Sequence, residues 1–310
     1  MDCVVSVEGL RKSYGERERL HGISFEVHAG EILGFLGTNG AGKTTTIEVL
    51  EGYRPYNGGT VSVLGVDPAR ATRSWRNRIG LVLQECELDP VYTVRETVSI
   101  FARYFRHPTN VEATIEAVGL SAKIHDRVGQ LSGGQKRRLD VAVGLVGDPE
   151  ILFLDEPTTG LDPLARREMW TMIEGLRAAG KTIFLTTHYM DEAQHLADRI
   201  IILRAGQIAA AGTADELSAT LGYRATVSFD AGPGLDVDQV GAALGRALGA
   251  SGSAVHFTSQ DVQADLTTLL DWARDHDVQL TNLQVVQPSL DEVFVRLAGD
   301  AAGEPEEAGR

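Results

Sequence analysis

Cysteine is scarce in this chain of 310 residues: only Cys3 and Cys86 are present. Two thiols so far apart exclude a disulfide framework and offer no metal-ligand spacing. Long apolar runs are missing too. Stretches such as 151–154 and 200–203 fall far short of the roughly 20 residues that a membrane helix needs. The start, Met1-Asp2-Cys3, has no basic region and no apolar stretch after it, so no secretory leader is expected and a cytoplasmic protein is. Basic residues are the minority charge, 29 Lys and Arg against 43 Asp and Glu, for a formal net charge of −14. That sign argues against nonspecific binding to nucleic acid or to an anionic membrane surface. From Gly222 onward 5 basic residues face 14 acidic ones, and this shift in composition marks a domain boundary near 220.

What is present reads as an α/β protein. Residues 4–7, 23–27, 31–36, 60–63, 79–83, 151–154, 182–186 and 199–203 are short apolar, β-branched runs punctuated by Gly or Pro, and they predict strands. Several are almost wholly apolar, as strands buried on both faces are. Helical patterns alternate with them after Lys43, Val94, Thr109, Gly134, Pro163 and Asp191, implying a largely parallel sheet, with an antiparallel portion at the N-terminus. Between about 87 and 147 no strand is predicted, and the spacing there is helical over 94–105 and 111–118; this is expected to be a helical subdomain inserted in a first domain, 1–217. Residues 223–298 predict a small α+β domain: strands at 224–229, 254–258 and 279–286 and helices at 237–248, 263–275 and 290–297. The Ala/Gly/Glu-rich 299–310 lacks apolar periodicity and is expected to be disordered.

Two motifs carry phosphate chemistry. The strand 31–36 runs into Gly37-Thr38-Asn39-Gly40-Ala41-Gly42-Lys43-Thr44-Thr45 and then a helix, the strand–loop–helix context that a phosphate-binding loop requires. Its glycines let the backbone curl and turn its amides to phosphate oxygens, at a helix start that favours anions. Lys43 is expected to reach the β- and γ-phosphates of a nucleoside triphosphate, and the Thr44 hydroxyl to bind Mg²⁺. Downstream, the apolar strand 151–154 ends in Asp155-Glu156. Asp155 is placed to hold the metal, in part through water, and Glu156 to polarise a water for attack on the γ-phosphate. A third element, Leu131-Ser132-Gly133-Gly134-Gln135, puts Ser132 and two glycine amides at a helix start, an anion site with no phosphate yet assigned to it.

In this order the motifs resemble those of the ABC ATPase family over residues 4–212, with 131–135 as its signature. The resemblance implies ATP and Mg²⁺ as ligands and a P-loop NTPase core. It implies further that Tyr14 stacks on adenine and that Gln84 touches Mg²⁺ or the attacking water. Asp162, in Thr159-Gly160-Leu161-Asp162-Pro163, corresponds to the D-loop, and His188 contacts the γ-phosphate. Thr38 departs from the family, many members of which carry proline there. In this family the signature of one subunit closes on the nucleotide of the other, so a second copy of the chain is expected in a head-to-tail dimer. The membrane permease is expected to be a separate chain that docks on the helical subdomain near 84–94 from the inner face of the membrane. The run Thr158 to Pro163 and the C-terminal Pro288-Ser289-Leu290-Asp291-Glu292-Val293-Phe294-Val295 look like the ABC-2 type exporters, nearest the daunorubicin-resistance family, which implies export of a drug or other hydrophobic compound. The alternative is a soluble ABC ATPase of translation or DNA repair; such proteins carry two cassettes or a long insertion, and this chain has neither.

Overall fold

The computed structural model describes residues 2–84, 86–220, 225–230, 235–251, 254–259 and 261–286. The helix expected at 290–297, the tail at 299–310 and Glu85 lie outside them. The chain divides into two compact units, Met1–Ala214 and Asp215–Arg310. No helix among the described residues is long and apolar enough to cross a membrane.

The first unit is built on a six-stranded sheet, β5-β6-β7-β3-β8-β9 in spatial order, beside an antiparallel sheet ordered β2-β1-β4. The antiparallel strands are β1 (Cys3–Tyr14), β2 (Arg17–His28) and β4 (Gly58–Val63). β1 and β2 run well past the apolar cores at 4–7 and 23–27, because charged side chains on their outward faces alternate with buried ones. In the larger sheet β3 (Ile32–Gly37), β5 (Ile79–Val82), β6 (Ile151–Asp155), β7 (Thr182–Thr187) and β8 (Arg199–Arg204) pair in parallel. β9 (Gln207–Gly212) closes one edge antiparallel to β8. β3, β6 and β7 are buried along their whole length, which is why they read as unbroken apolar runs.

The sheet's two faces bury separate cores. On one, Phe25, Phe35, Phe153 and Phe184 stack in a tilted series with ring centroids 5.3–6.1 Å apart, under the antiparallel sheet and α1 (Lys43–Leu50). After the short α2 (Arg73–Arg76), the other face is covered by α3 (Val94–Ala102), α4 (Val111–Ala117), α5 (Gly133–Leu145), α6 (Pro163–Ala178) and α7 (Met190–Leu196). α3 and α4 begin on full or partial caps, Thr93 and Asn110, and stand with α5 in the strandless stretch between β5 and β6.

After α8 (Ala214–Thr220) the second unit is a βαββαβ arrangement: β10 (Ala225–Asp230), α9 (Val237–Leu244), β11 (Gly249–Ser251), β12 (Ala254–Ser259), α10 (Val262–Asp275) and β13 (Thr281–Val286). Its sheet is ordered β11-β12-β10-β13 with every neighbour antiparallel, the split βαβ pattern. Val227, Phe229, Val240, Val255, Phe257 and Leu269 form its own core.

Candidate functional site

A cleft of about 820 Å³ opens beyond the carboxyl ends of the parallel strands. The loop from β3 to α1 supplies Asn39, Gly40, Gly42, Lys43, Thr44 and Thr45 to it. Gly42 is the N-cap of α1 at φ 113°, a conformation that L side chains rarely adopt, and no side chain caps the helix. A Cβ at Gly37 would stand 2.6 Å from the Leu203 carbonyl, so the loop also needs glycine where it passes β8. Gly37 and Ala41 are buried behind the cleft, where the Gly37 carbonyl accepts a 2.8 Å hydrogen bond from Lys43 Nζ.

The other strand ends complete the cleft. Gln84 follows β5, Glu156 follows β6, and His188 follows β7. Glu156 is the hub. Its Oε1 lies 3.1 Å from Lys43 Nζ; its Oε2 accepts from Gln84 Nε2 at 3.4 Å and from Thr159 Oγ1 at 3.2 Å. His188 Nδ1 lies 3.1 Å from the same oxygen. Burial works to raise the Glu156 carboxyl, and Lys43 and then His188 more than reverse it, leaving it below the ordinary carboxylate range and ionised. The backbone there is unusual, with Glu156 at φ 45°.

Asp155 stands behind the cleft, 4% exposed, and accepts a hydrogen bond from Thr186 Oγ1. Burial raises its carboxyl above the usual range in spite of that bond. The buried Asp155 carboxylate, with the Thr44 hydroxyl and the Gln84 amide oxygen on the cleft, is an all-oxygen donor set suited to Mg²⁺, a hard ion that keeps several waters and binds through few carboxylates.

Tyr14 lines the outer end of the cleft, 38% exposed, with Lys12 Nζ 5.0 Å and the Arg54 guanidinium 5.5 Å from its ring centroid. Arg17, Arg19 and Arg54 line it as well. The sequence does not single these arginines out, since they lie in no motif; they supply the cleft of an acidic chain with a cationic rim for a polyanion.

Leu131–Gln135 and Asp162 are not in this cleft. Ser132 caps α5 in a closed box: its hydroxyl accepts from Gln135 N at 3.3 Å, and the Gln135 side chain accepts from Ser132 N at 2.9 Å. Ser132 and Gly133 are exposed, Leu131 and Gly134 buried. A Cβ on Gly134 would meet Ala165 Cβ at 2.7 Å, so glycine lets α5 press against α6. Asp162 caps α6, accepting from Leu164 N and Ala165 N, each at 2.9 Å.

Arg137 is a further residue that the sequence leaves in an undistinguished basic run, Lys136-Arg137-Arg138. It is buried, and its guanidinium donates to the carbonyls of Pro157 at 3.0 Å, Asp155 at 2.8 Å and Leu83. Helical phase is the signal that finds it: Gly134, Arg137 and Val141 are spaced i, i+3, i+7 on one buried stripe.

A family model described as ABC transporter matches residues 20–159, and one described as ABC transporter domain-containing protein-like, C-terminal domain, matches 225–289. The chain is 40% identical over 304 residues to Nod factor export ATP-binding protein I of Ralstonia nicotianae, covering 96% of this chain and 94% of that one. It is 37% identical over 312 residues to daunorubicin resistance ATP-binding protein DrrA3 of Streptomyces coeruleorubidus, covering 96% and 97%. Among solved structures, cbiO1 from Clostridium perfringens, part of the ABC transporter complex cbiONQ, superposes with a TM-score of 0.64 at 27% identity, over 71% of this chain and 92% of that one.

Proposed function

This chain belongs to the ATP-binding proteins of ABC transporters, and from that premise we propose that it is the ATP-hydrolysing subunit driving export of a drug or other hydrophobic compound through a separate membrane permease. The export reading draws on two relatives, one named for Nod factor export and the other for daunorubicin resistance. The observation that carries the hydrolytic reading is the Glu156 carboxylate, held at the cleft by Lys43, Gln84, Thr159 and His188.

A triphosphate entering the cleft competes with Glu156 for Lys43. Once the lysine turns to the phosphates, Glu156 loses its strongest counter-charge and becomes a better proton acceptor, at the moment when substrate is in place. A water beside it then attacks the γ-phosphorus: the new P–O bond forms, the bond to the ADP oxygen breaks, and the water proton passes to Glu156. Gln84 and His188, on either side, orient that water and the γ-phosphate. Mg²⁺ held by Thr44, Gln84 and Asp155 would neutralise charge that develops on the phosphate oxygens. Tyr14 gives the base a stacking surface.

The signature residues do not line their own cleft, and Ser132 and Gly133 are exposed, so they serve the nucleotide of a second copy in a head-to-tail dimer. Each ATP is then closed in by two chains. The permease segment is assigned to an apolar groove of about 770 Å³ between β5 and α3, lined by Leu81, Leu83, Phe101, Tyr104 and Phe105. It adjoins Gln84, so docking and hydrolysis meet at one loop. The subunit accordingly works on the inner face of the cell membrane.

Glu156→Gln tests the core of this reading. The variant is expected to bind ATP, to lose hydrolysis by roughly a hundredfold or more, and to run as an ATP-dependent dimer in size-exclusion chromatography. Normal turnover by the variant would remove Glu156 from the role of base.

A further inference from the structure

We propose that Arg137 is the positioning residue of the hydrolytic site, its one buried guanidinium fixing the backbone from which Glu156 and Gln84 are aimed and tying it to the helix that begins at Ser132. The proposal rests on the reading of Glu156 as the base.

The geometry joins three segments that are remote in sequence. Arg137 Nη1 donates to the carbonyl of Leu83, the residue before Gln84. Nη2 donates to the carbonyl of Asp155 at 2.8 Å and, more weakly, to that of Glu156 at 3.5 Å, and Nε donates to the carbonyl of Pro157 at 3.0 Å. Leu83, Glu156 and Pro157 lie just past the ends of β5 and β6. A guanidinium carries five N–H donors in a rigid fork, so one group can hold all these acceptors at fixed spacing. An ammonium on a flexible stem cannot.

Glu156 has particular need of such a hold. At φ 45° it sits in the left-handed region, which a side-chain-bearing residue seldom adopts. Strain of this kind persists only where the surroundings over-determine it. Here Thr186 fixes the amide of Glu156, its carbonyl accepting at 3.1 Å and its hydroxyl at 3.2 Å, and Arg137 holds the carbonyls on either side. The turn is clamped from both sides, and the carboxylate is thereby aimed at Lys43.

The charge itself argues that the arrangement is selected for geometry. Arg137 is 8% exposed, and its nearest carboxylate, Asp140, is 3.6 Å away. Burial pulls the guanidinium below its usual range, with Asp140 resisting. A neutral side chain would fill the space without that desolvation cost. What it would not supply is a fork of donors.

Arg137 also stands on the signature helix, five residues after the cap, with Gly134 pressed on Ala165. α5 is a rigid rod from Ser132 to Arg137. A displacement at its exposed start therefore reaches the Leu83 and Asp155 carbonyls directly, giving the two copies of the chain a mechanical link between docking and aim.

The test uses the full chain with Arg137→Gln and Arg137→Lys, alone and combined with Glu156→Gln. Expected for Arg137→Gln is a fall in kcat of about thirtyfold with KM for ATP changed less than threefold, and for Arg137→Lys little recovery. On the Glu156→Gln background, where there is no base left to aim, Arg137→Gln is expected to reduce residual single-turnover hydrolysis less than threefold, because residues acting as one unit are not additive. The same fold-loss on both backgrounds, or a lowered melting temperature with unchanged kcat, would overturn the proposal and leave Arg137 a fold-stabilising residue. Should Arg137→Gln fail to fold, the cycle is read with Arg137→Lys, which keeps the charge. If Glu156→Gln alone hydrolyses normally, it is the base assignment that fails.

Discussion

Two helices of the first unit begin at sites suited to anions, and they begin in opposite ways. α1 starts on Gly42 in a left-handed conformation with no side-chain cap, so its first amides are offered to whatever enters the cleft. α5 starts on Ser132 inside a closed capping box and has already satisfied two of its own donors. The first helix start is complete only with a ligand. The second is stable by itself and keeps a lesser offer, the Gly133 amide and the proton of a serine hydroxyl whose oxygen is already accepting. Such asymmetry suits a site where one chain binds the nucleotide and another closes over it.

The uncapped start of α1 is the more vulnerable of the two. Lys43→Ala removes the cation that α1 brings to the cleft and leaves Glu156 without its 3.1 Å partner. It also deletes the lysine–phosphate pair of the complex, and truncating one member of such a buried charge pair costs about 2–5 kcal/mol, so ATP affinity is expected to fall about a hundredfold or more by calorimetry. Unchanged affinity would mean that the loop amides bind phosphate unaided.

α1 finishes on Glu51, 7% exposed, whose carboxyl burial first, and then Asp155 and Glu48, push from near 4.5 up to about 8. Between those values the folded chain holds one more proton than the unfolded chain, so stability is highest below pH 4.5 on this account and falls as pH rises to 8. Glu51→Gln should remove that slope and stabilise the first unit at pH 9 by on the order of 3 kcal/mol. Urea unfolding at pH 5 and pH 9 measures it, and equal slopes in both proteins would discard the idea.

The capped start gives the finest distinction. Ser132→Asp keeps a good N-cap but puts a negative charge where a phosphate is expected, so it should lower hydrolysis by roughly thirtyfold with the melting temperature unchanged. Ser132→Ala should do the reverse, costing about 1 kcal/mol of stability with a milder loss of turnover. If both variants shift only stability, Ser132 is a cap and nothing more.

Much of this was legible in the residues. Buried parallel strands are apolar throughout, so β3, β6 and β7 announce themselves, and the residues that follow them supply polar groups to the cleft. The six-residue β9, Gln207–Gly212, escapes because its residues alternate between half-buried and exposed and are mostly small, with one edge of the sheet to support them. Glu51 and Arg137 escape for a shared reason. A charged residue in sequence reads as surface, and only the phase of the helix shows that each falls on the buried side. Their partners are backbone carbonyls or other acids, which no sequence motif records. The left-handed turn at Glu156 is equally silent, since no glycine marks it.

The strand order carries a consequence for how this molecule tolerates change. Gln84, Glu156, His188 and Lys43 follow β5, β6, β7 and β3, four neighbours in one sheet, so their spacing is set by the repeat between paired strands. About 4.8 Å per step is a ruler that no loop length can alter. Sequence spliced into the turns away from the carboxyl edge changes what the sheet is connected to and leaves the marks on the ruler where they were. The long helical detour between β5 and β6 leaves the carboxyl edge at Gln84 and rejoins the sheet at Ile151 with those marks unchanged.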